Sequence, residues 1–209
     1  MNRDLTQKDL FTTHEPVIHC LDGALLTEIL NVFDITERNR LFVQLRDEIR
    51  WQQATIRIAG NTLPIPRLQC WIGDEGLNYS YSGMALRPAR WTSTLLTIKH
   101  RVEQLAEQEF NAVLANLYRN GNDSVAWHSD DEPELGPDPV VASVSLGAER
   151  PFELKPKHEK NQRKLRIVLR DGSVLIMGKG CQNNWMHQLP KVKELAEPRI
   201  NLTFRTIKR

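Results

Sequence analysis

The chain has 209 residues, of which 40% are hydrophobic and 26% charged, and its formal net charge is +2 at pH 7. It is long enough for one well-cored globular domain, and it lacks any apolar run near the ~20 residues that a membrane-spanning helix needs. The opening segment, MNRDLTQKDLFTTHE, has no apolar core of the kind found in secretory signals. We therefore expect an intracellular protein, cytoplasmic if bacterial and nuclear if eukaryotic.

The cysteines argue against a zinc finger or zinc ribbon. Cys20, Cys70 and Cys181 are far apart in the sequence, odd in number, and include no CxxC pair. Reduced thiols with a structural role are the expected state.

The first third of the chain has the apolar spacing of helices. Within LDGALLTEILNVF, the apolar residues at helical spacing are Leu21, Leu25, Ile29 and Val32. A second helix is predicted to begin near Thr36, and its apolar stripe consists of Leu41, Phe42, Leu45 and Ile49. Residues 1–52 are therefore expected to form a helical N-terminal extension.

The rest of the chain changes from a hairpin, through one helix, to many strands. Gly, Pro and β-branched residues make TIRIAGNTLPIPR, within 53–72, typical of a loose hairpin. Helical spacing returns over 93–110, with Ser93 or Thr94 as a suitable N-cap. Seven short segments rich in β-branched or aromatic residues are predicted strands: 112–119, 140–146, 151–155, 164–170, 173–177, 184–188 and 199–205. This order predicts an α+β fold in a single domain, with a sandwich or jelly roll packed on helices.

A candidate metal site lies in AWHSDDEPE, residues 126–134. His128 and Asp130 are two apart, so in an extended chain both point to one face and Trp127 to the other. His187, in NNWMHQLP on another predicted strand, adds a second imidazole. Two histidines and one carboxylate match the facial triad of non-haem iron(II) oxygenases, which keeps coordination positions open for a cosubstrate and oxygen. A solvated acidic loop is the alternative.

The C-terminal segment RINLTFR alternates strictly between polar and apolar side chains. Its polar residues, on one face of the predicted strand, are Arg199, Asn201, Thr203 and Arg205. Arginine binds carboxylates in a bidentate manner, so two arginines on one inner face suggest a dicarboxylate ligand. An exposed polar face on an edge strand is the alternative.

The segment ANLYR presents another polar pair. Asn116 and Tyr118 are two apart and share a face of their predicted strand. Both could donate hydrogen bonds to a carboxylate, or both could be satisfied by backbone groups.

Four segments together resemble the AlkB family of iron(II)- and 2-oxoglutarate-dependent dioxygenases, most closely its branch that repairs alkylated bases. They are NLYRNGNDSVAWHSDDEPELG, ASVSLGAERPFEL, GSVLIMGKGCQNNWMHQLP and PRINLTFR. The resemblance covers roughly residues 53–207 and rests on the order of NxY, HxD, distal His and RxNxTFR. It implies a double-stranded β-helix core, a jelly-roll variant, over 93–209, preceded by a nucleotide-recognition lid over 53–92.

The resemblance also implies roles for individual residues. The catalytic iron ligands would be His128, Asp130 and His187. The residues that hold 2-oxoglutarate would be Asn116, Tyr118, Arg199, Thr203 and Arg205, with one arginine near each end of the cosubstrate. The substrate-binding residues would be Tyr79, Ser80, Tyr81, Asp131, Glu132 and Arg67, and Trp71 would border the base pocket. Fe(II), 2-oxoglutarate and O2 are the implied cofactor and cosubstrates.

The implied activity is oxidative demethylation of N-alkylated bases, 1-methyladenine and 3-methylcytosine, in DNA or alternatively RNA. This direct-reversal DNA repair would release formaldehyde, succinate and CO2. A flipped base stacks on an aromatic ring, which suits Tyr79 and Tyr81, and methylation makes the base cationic, which suits Asp131 and Glu132. The expected partner is alkylated DNA, single- or double-stranded, bound by a monomer away from any membrane.

Two further segments bear on the nucleic acid. LKPKHEKNQRKLR, residues 154–166, has six basic residues and one acid, so it could neutralise phosphates or form a solvated loop. The hairpin lacks the bulky apolar finger of duplex-preferring relatives near Ala59 or Gly60, although Leu63 or Ile65 could replace it. The preference for single- or double-stranded nucleic acid is therefore left open. The alternative functions are the same chemistry on a protein or small molecule, and a jelly-roll nucleic-acid binder without catalysis.

Overall fold

The computed structural model describes residues 15–58, 60–77, 79–81, 84–86, 88–158 and 164–208, with the backbone alone described at 58, 79–81 and 84–86. The helices are α1 (Ile35–Glu48), α2 (Ser93–Ala106) and α3 (Cys181–Asn184). The strands are β1 (Val17–Leu21), β2 (Ala24–Ile29), β3 (Thr55–Ile58), β4 (Asn61–Pro64), β5 (Leu68–Gly73), β6 (Tyr79–Tyr81), β7 (Met84–Leu86), β8 (Ala112–Tyr118), β9 (Val125–His128), β10 (Val141–Gly147), β11 (Arg150–Pro156), β12 (Leu165–Leu169), β13 (Ser173–Met177), β14 (Trp185–Leu189) and β15 (Arg199–Arg205). The predicted α+β class is confirmed.

Two antiparallel sheets in the described part of the chain form the jelly-roll core. The larger has the strand order β1-β2-β13-β10-β15-β8-β5, and the smaller has the order β12-β11-β14-β9. They pack face to face through a buried apolar cluster with side chains from both sheets, such as Val141 and Leu175 from the larger and Phe152 and Leu154 from the smaller. The predicted double-stranded β-helix is therefore confirmed.

Helices α1 and α2 cover the outer face of the larger sheet. Leu41 and Leu45 of α1 share one buried cluster with Ile98 and Val102 of α2 and with strand residues such as Leu202. Because side chains alternate across a strand, strands that bury apolar residues under the helices turn their other residues into the space between the sheets. Along these strands, residues buried under the helices therefore alternate with residues that face the space between the sheets.

The helix predicted from Leu21 to Val32 is wrong, because this segment contains the turn of the β1–β2 hairpin and the whole of β2. Asp22 and Gly23 form the two-residue turn, and Gly23 has a φ of 60°, which glycine adopts without strain. β2 pairs with β13, so sheet packing buries its apolar residues. An Asp-Gly pair between apolar segments is the sequence signal for such a hairpin. Of the expected helical extension over 1–52, the described residues keep only α1, and residues 1–14 lie outside the description.

The other two predicted helices are confirmed, although their ends differ. The N-caps are Asp34 for α1 and Thr92 for α2, the latter one residue before Ser93. In each cap a side-chain oxygen accepts a backbone N–H of the first turn. α2 ends at Ala106 rather than 110, because Glu107 adopts a left-handed conformation with a φ of 50°.

The cysteines are free thiols, as expected. Burial raises the pKa of the Cys181 thiol to about 12, so it stays protonated at neutral pH. A protonated, buried thiol is chemically inert, which agrees with a structural role.

The division of one domain into an extension, a lid over 53–92 and a core over 93–209 stays a prediction. The lid segment contains the hairpins β3–β4 and β6–β7 and also β5, which belongs to the larger sheet. Within the described ranges, no helix has the length and apolar character required to cross a membrane.

Candidate active site

Strand β15 brings the predicted cosubstrate residues to the centre of the larger sheet. Its apolar residues are buried beneath α1 and α2. Its polar residues line a cavity of about 780 Å³ between the sheets, and they are Arg199, Asn201, Thr203 and Arg205. Asn116 and Tyr118 of β8 line the same cavity, because β8 pairs with β15 so that Tyr118 lies opposite Arg199. The residues expected to hold a dicarboxylate therefore share one cavity.

His128, Asp130 and His187 form a group that could hold a metal ion in the wall of this cavity. One possible ligand atom from each residue lies within 4.8 Å of the other two. His128 on β9 lies directly opposite His187 on β14, and their ring centroids are 4.2 Å apart. The register then shifts, since the next partners along the two strands are Val125 and Leu189.

Hydrogen bonds fix the placement of the triad. Nδ1 of His128 lies 2.8 Å from the backbone oxygen of Ala126, so a proton on Nδ1 leaves Nε2 as the ligand atom. The backbone N–H of Asp130 donates to Oε1 of Gln182 at 2.9 Å, and Gln182 is fully buried. The sequence reasoning missed Gln182, whose only signal is a polar residue shortly before the distal histidine.

The ionisation of His187 and Asp130 suits a metal. Burial and the neighbouring His128 lower the pKa of His187 to about 3, so its imidazole is neutral at physiological pH. Burial alone would raise the pKa of Asp130, but the charges around it, that of Arg205 foremost, lower the pKa below its ordinary value. Metal binding requires neutral imidazoles and ionised carboxylates, and two histidines with one carboxylate are a donor set that fits Fe(II).

Arg199 is a buried cation that faces the cavity. Its Nη2 donates to Oγ of Ser145 at 2.9 Å, and its guanidinium lies 5.3 Å from the ring centroid of Tyr118. Its Nε makes no hydrogen bond within the described part of the chain. Burial lowers the pKa of Arg199 to about 10, so the side chain is still charged at neutral pH. A buried charge needs a compensating partner, and a ligand carboxylate would be one.

Hydrogen bonds also fix the other predicted cosubstrate residues. Nε of Arg67 donates to Oδ1 of Asn116 at 3.0 Å, and both side chains are buried. Oγ1 of Thr203 donates to Oδ1 of Asn201 at 3.0 Å. Arg67 lines the cavity, but its hydrogen bonds go to Asn116 and, from Nη1 at 3.4 Å, to the backbone oxygen of Ser124. Its expected contact with the substrate stays a prediction.

Comparison with known proteins identifies the family. The 2OG-Fe(II) oxygenase superfamily matches residues 25–205. Human alpha-ketoglutarate-dependent dioxygenase alkB homolog 3 is 42% identical over 182 residues, which cover 83% of this chain and 63% of that protein. Mouse DNA oxidative demethylase ALKBH2 is 37% identical over 198 residues, which cover 90% and 83%. The chain belongs to the AlkB family.

The coverage and the fold agree with this assignment. The chain spans less than two thirds of the length of the human and bovine alkB homolog 3 proteins. The solved structure of OsALKBH1 aligns with 91% of this chain and 100% of its own, with a TM-score of 0.64 and 16% sequence identity. This likeness supports the jelly-roll fold.

The two acids that follow Asp130 differ in environment in this AlkB-family site. Glu132 lines the cavity. Asp131 is absent from the described cavity wall: its side chain is 54% exposed, and its Oδ2 lies 2.7 Å from Nζ of Lys157. The sequence motif placed the two carboxylates in the same role, whereas the structure separates them.

The expected aromatic platform falls on β6. The side chains of Tyr79, Ser80 and Tyr81 lie outside the described part of the chain, so their contact with a base stays a prediction. Trp71 does not border the cavity as expected, because it lies on β5, at the edge of the larger sheet. There its side chain is buried in a separate apolar cluster with Leu135.

A cationic surface borders the cavity at Trp127. Nζ of Lys155 and Nζ of Lys164 lie 4.5 and 5.5 Å from its ring centroid. Trp127 borders the cavity together with its sequence neighbours Ala126 and His128. Its ring lies against Lys155, which follows the buried Leu154 on β11 and therefore points away from the space between the sheets. Lys160 and Arg163 of the same basic segment lie outside the described residues.

The hairpin β3–β4 forms another part of the cavity wall. Ile56 and Ile65 line the cavity, and Ile65 is buried. Leu63 lies opposite Ile56 in the hairpin and is 47% exposed. Of the two proposed replacements for an apolar finger, Leu63 is the one available for contact, whereas Ala59 lies outside the described residues.

Proposed function

We propose that this protein is an Fe(II)- and 2-oxoglutarate-dependent dioxygenase that demethylates N-alkylated bases, 1-methyladenine and 3-methylcytosine, in DNA. The observation that supports it best is the group of His128, Asp130 and His187, the last two of them buried, in the wall of a cavity that also contains the buried cation Arg199. The names of the relatives agree, since one is called an alpha-ketoglutarate-dependent dioxygenase and another a DNA oxidative demethylase.

The triad would hold Fe(II) through Nε2 of His128, a carboxylate oxygen of Asp130 and a ring nitrogen of His187. When bound, Fe(II) with 2-oxoglutarate and O2 supplies the oxidation: the N-methyl carbon is hydroxylated, succinate and CO2 are released, and formaldehyde leaves the base. The chain itself positions the reactants and keeps Asp130 ionised and His187 neutral.

The two arginines of β15 would bind opposite ends of the cosubstrate. Arg205 hydrogen-bonds the ligand Asp130, so it lies at the metal end. Arg199 lies six residues away along the strand, at about 3.3 Å per residue, and its buried guanidinium would bind the distal carboxylate. Arg67 holds Oδ1 of Asn116, which turns the Nδ2 donor of the amide towards an anion.

Glu132 would recognise the damaged base. A methyl group on N1 of adenine or N3 of cytosine gives the base a positive charge and blocks pairing, which lowers the cost of flipping. A carboxylate that faces the cavity favours this cation over the neutral undamaged base. Tyr79 and Tyr81 would supply the stacking surface.

Lys155 and Lys164, held against Trp127 beside the cavity, would contact the phosphates of the nucleic acid. Alanine at both positions should reduce the slope of log affinity against log salt by roughly one to two. An unchanged slope would show that this surface does not contact the phosphates. Alkylated DNA, with RNA as the alternative, is thus the proposed partner, and a monomeric state and an intracellular location stay predictions.

The test is a panel of methylated single- and double-stranded DNA and RNA oligonucleotides under matched salt, incubated with the full chain, Fe(II) and 2-oxoglutarate. We expect formaldehyde and succinate from wild type and from His100→Ala, a control at an exposed histidine of α2, and neither from His128→Ala. Absence of formaldehyde from every oligonucleotide would refute the proposed activity, and equal turnover by His128→Ala would refute the metal assignment.

A further inference from the structure

Lys157 is placed beside the metal-binding strands by backbone contacts. It follows β11 directly, and its N–H donates to the backbone oxygen of Asn184 at 2.8 Å, next to the start of β14. Within the ladder, Leu154 of β11 lies opposite His187. The lysine side chain is only 19% exposed, so it is held against the protein rather than extended into solvent.

The ammonium of Lys157 forms an ion pair with one carboxylate. Its Nζ donates to Oδ2 of Asp131 at 2.7 Å, and Asp131 lies between Asp130 and Glu132, both of which line the cavity. Asp131 and Lys157 thus form a pair of opposite charges at the edge of the cavity. The net charge that this pair presents to a ligand is close to 0, rather than the −1 of Asp131 by itself.

We propose that Lys157 is a specificity-determining residue that neutralises Asp131 at the edge of the cavity and so limits the preference of the site for a cationic base over a neutral one. This inference rests on the proposed function. It assigns a role to a lysine 26 positions from its partner in sequence, outside the HxD segment. The lysine sets how strongly the enzyme prefers charged lesions, and it limits retention of a cationic base that has already been bound.

The expected size follows from Coulomb's law. One additional unit charge several ångströms from the base, at an effective dielectric constant between those of water and of a protein surface, changes the relative affinity by about three- to tenfold. The sign depends on the charge of the lesion. A lysine that merely bound phosphate would instead change the affinity for every lesion by the same factor.

The experiment compares two single-stranded oligonucleotides of identical sequence, one with the cationic 1-methyladenine and one with the neutral 1,N6-ethenoadenine. The variants are Lys157→Met, Asp131→Asn, the double variant, and Lys157→Arg. Lys99→Met is the matched control, because Lys99 pairs with Glu103 at 2.8 Å, is 21% exposed, and lies on α2. Conversion to adenine is measured by mass spectrometry, and binding is measured by fluorescence anisotropy without oxygen.

Two ratios are measured. One is the kcat/KM for the cationic lesion divided by that for the neutral lesion, and the other is the corresponding ratio of affinities. We expect Lys157→Met to raise both ratios by about three- to tenfold and Asp131→Asn to lower them by a similar factor. The double variant, Lys157→Arg and Lys99→Met should stay within about twofold of wild type. Thermal unfolding of each variant identifies any that fail to fold, and Lys157→Arg then still tests whether a positive charge suffices.

An equal change for both lesions in Lys157→Met, or a double variant that does not return to the wild-type ratio, would overturn the role of Lys157. Failure of the proposed function gives a different result, namely no conversion of either lesion by wild type. The affinity ratio measured without oxygen still decides for or against Lys157 in that case, because it does not depend on turnover.

Discussion

Nη2 of Arg205 donates a hydrogen bond to Oδ1 of Asp130, and both side chains are at least 95% buried. The contact joins β15, which contains the proposed cosubstrate residues, to the loop that contains a proposed metal ligand. Without it, Asp130 would be a buried carboxylate whose burial raises its pKa. The arginine therefore prepares the metal site before any ligand arrives.

Replacing this arginine should weaken metal binding in a pH-dependent manner. In Arg205→Leu, the pKa of Asp130 rises, and protons compete with the metal for the carboxylate. We expect the affinity for Mn²⁺, measured by calorimetry, to fall by about 10- to 100-fold at slightly acidic pH, with a smaller loss as the pH rises. Arg38→Leu, at the Arg38–Asp171 pair outside the cavity, is the control. A loss that is the same at every pH would contradict this explanation.

Arg199→Lys should affect 2-oxoglutarate more than the metal. Lysine keeps the charge but loses the planar pair of donors that a carboxylate accepts. We expect the KM for 2-oxoglutarate to rise by roughly tenfold or more, while the affinity for Mn²⁺ stays near that of wild type. An unchanged KM together with weakened Mn²⁺ binding would place Arg199 at the metal end instead.

Asp123 should stabilise the fold in a way that disappears in acid. Burial alone would raise its pKa, but hydrogen bonds from Arg119 outweigh burial and lower it below the ordinary value of 3.8. Its contribution to the free energy of unfolding is therefore full above the unfolded-state pKa and is lost as the pH falls through the lower folded-state pKa. Asp123→Asn should lower the melting temperature by about 2–6 °C at neutral pH, and this gap should narrow below about pH 4.

The matched control for that series is Asp47→Asn, since Asp47 pairs with Arg46 at the exposed surface. Surface pairs contribute little, so its melting temperature should follow that of wild type at every pH. A gap between wild type and Asp123→Asn that stays constant down to acid pH would show that the aspartate acts by packing rather than by charge.

Leu63 should matter for double-stranded substrates. Its strand partner Ile56 lines the cavity, so the exposed Leu63 lies on the same face of the hairpin and could enter the gap that a flipped base leaves. We expect Leu63→Ala to reduce activity on methylated duplex DNA by about three- to tenfold relative to the matching single strand. Leu96→Ala, at an exposed leucine of α2, is the control. Equal effects on both substrates would show that Leu63 does not determine the preference for single- or double-stranded DNA.

Features with a short sequence period could be predicted, and features made by long-range pairing could not. The alternation of β15 placed Arg199 and Arg205 on the cavity side because a strand has a period of two residues. The register shift between β9 and β14 has no counterpart in the sequence pattern, because it depends on how the two strands pair. The helix prediction for Leu21 to Val32 failed because the apolar spacing was given more weight than the turn signal at Gly23.

The pairing of Lys157 with Asp131 and the bond from Asp130 to Gln182 were equally hidden. Each joins residues 26 or more positions apart, and neither partner belongs to a pattern that is periodic in the sequence. Motifs locate the donor atoms of a site in this way, whereas the groups that set their charge and orientation depend on how the sheets fold over one another.

The edge position of β9 has a consequence for the life of the protein. β9 is the outermost strand of the smaller sheet, and its ladder to β14 is irregular immediately beyond His128. An ion held by His128 and His187 would join these two strands where backbone pairing is interrupted, and binding to the folded state alone opposes local opening. Iron supply would therefore govern how long this edge of the protein resists proteolysis.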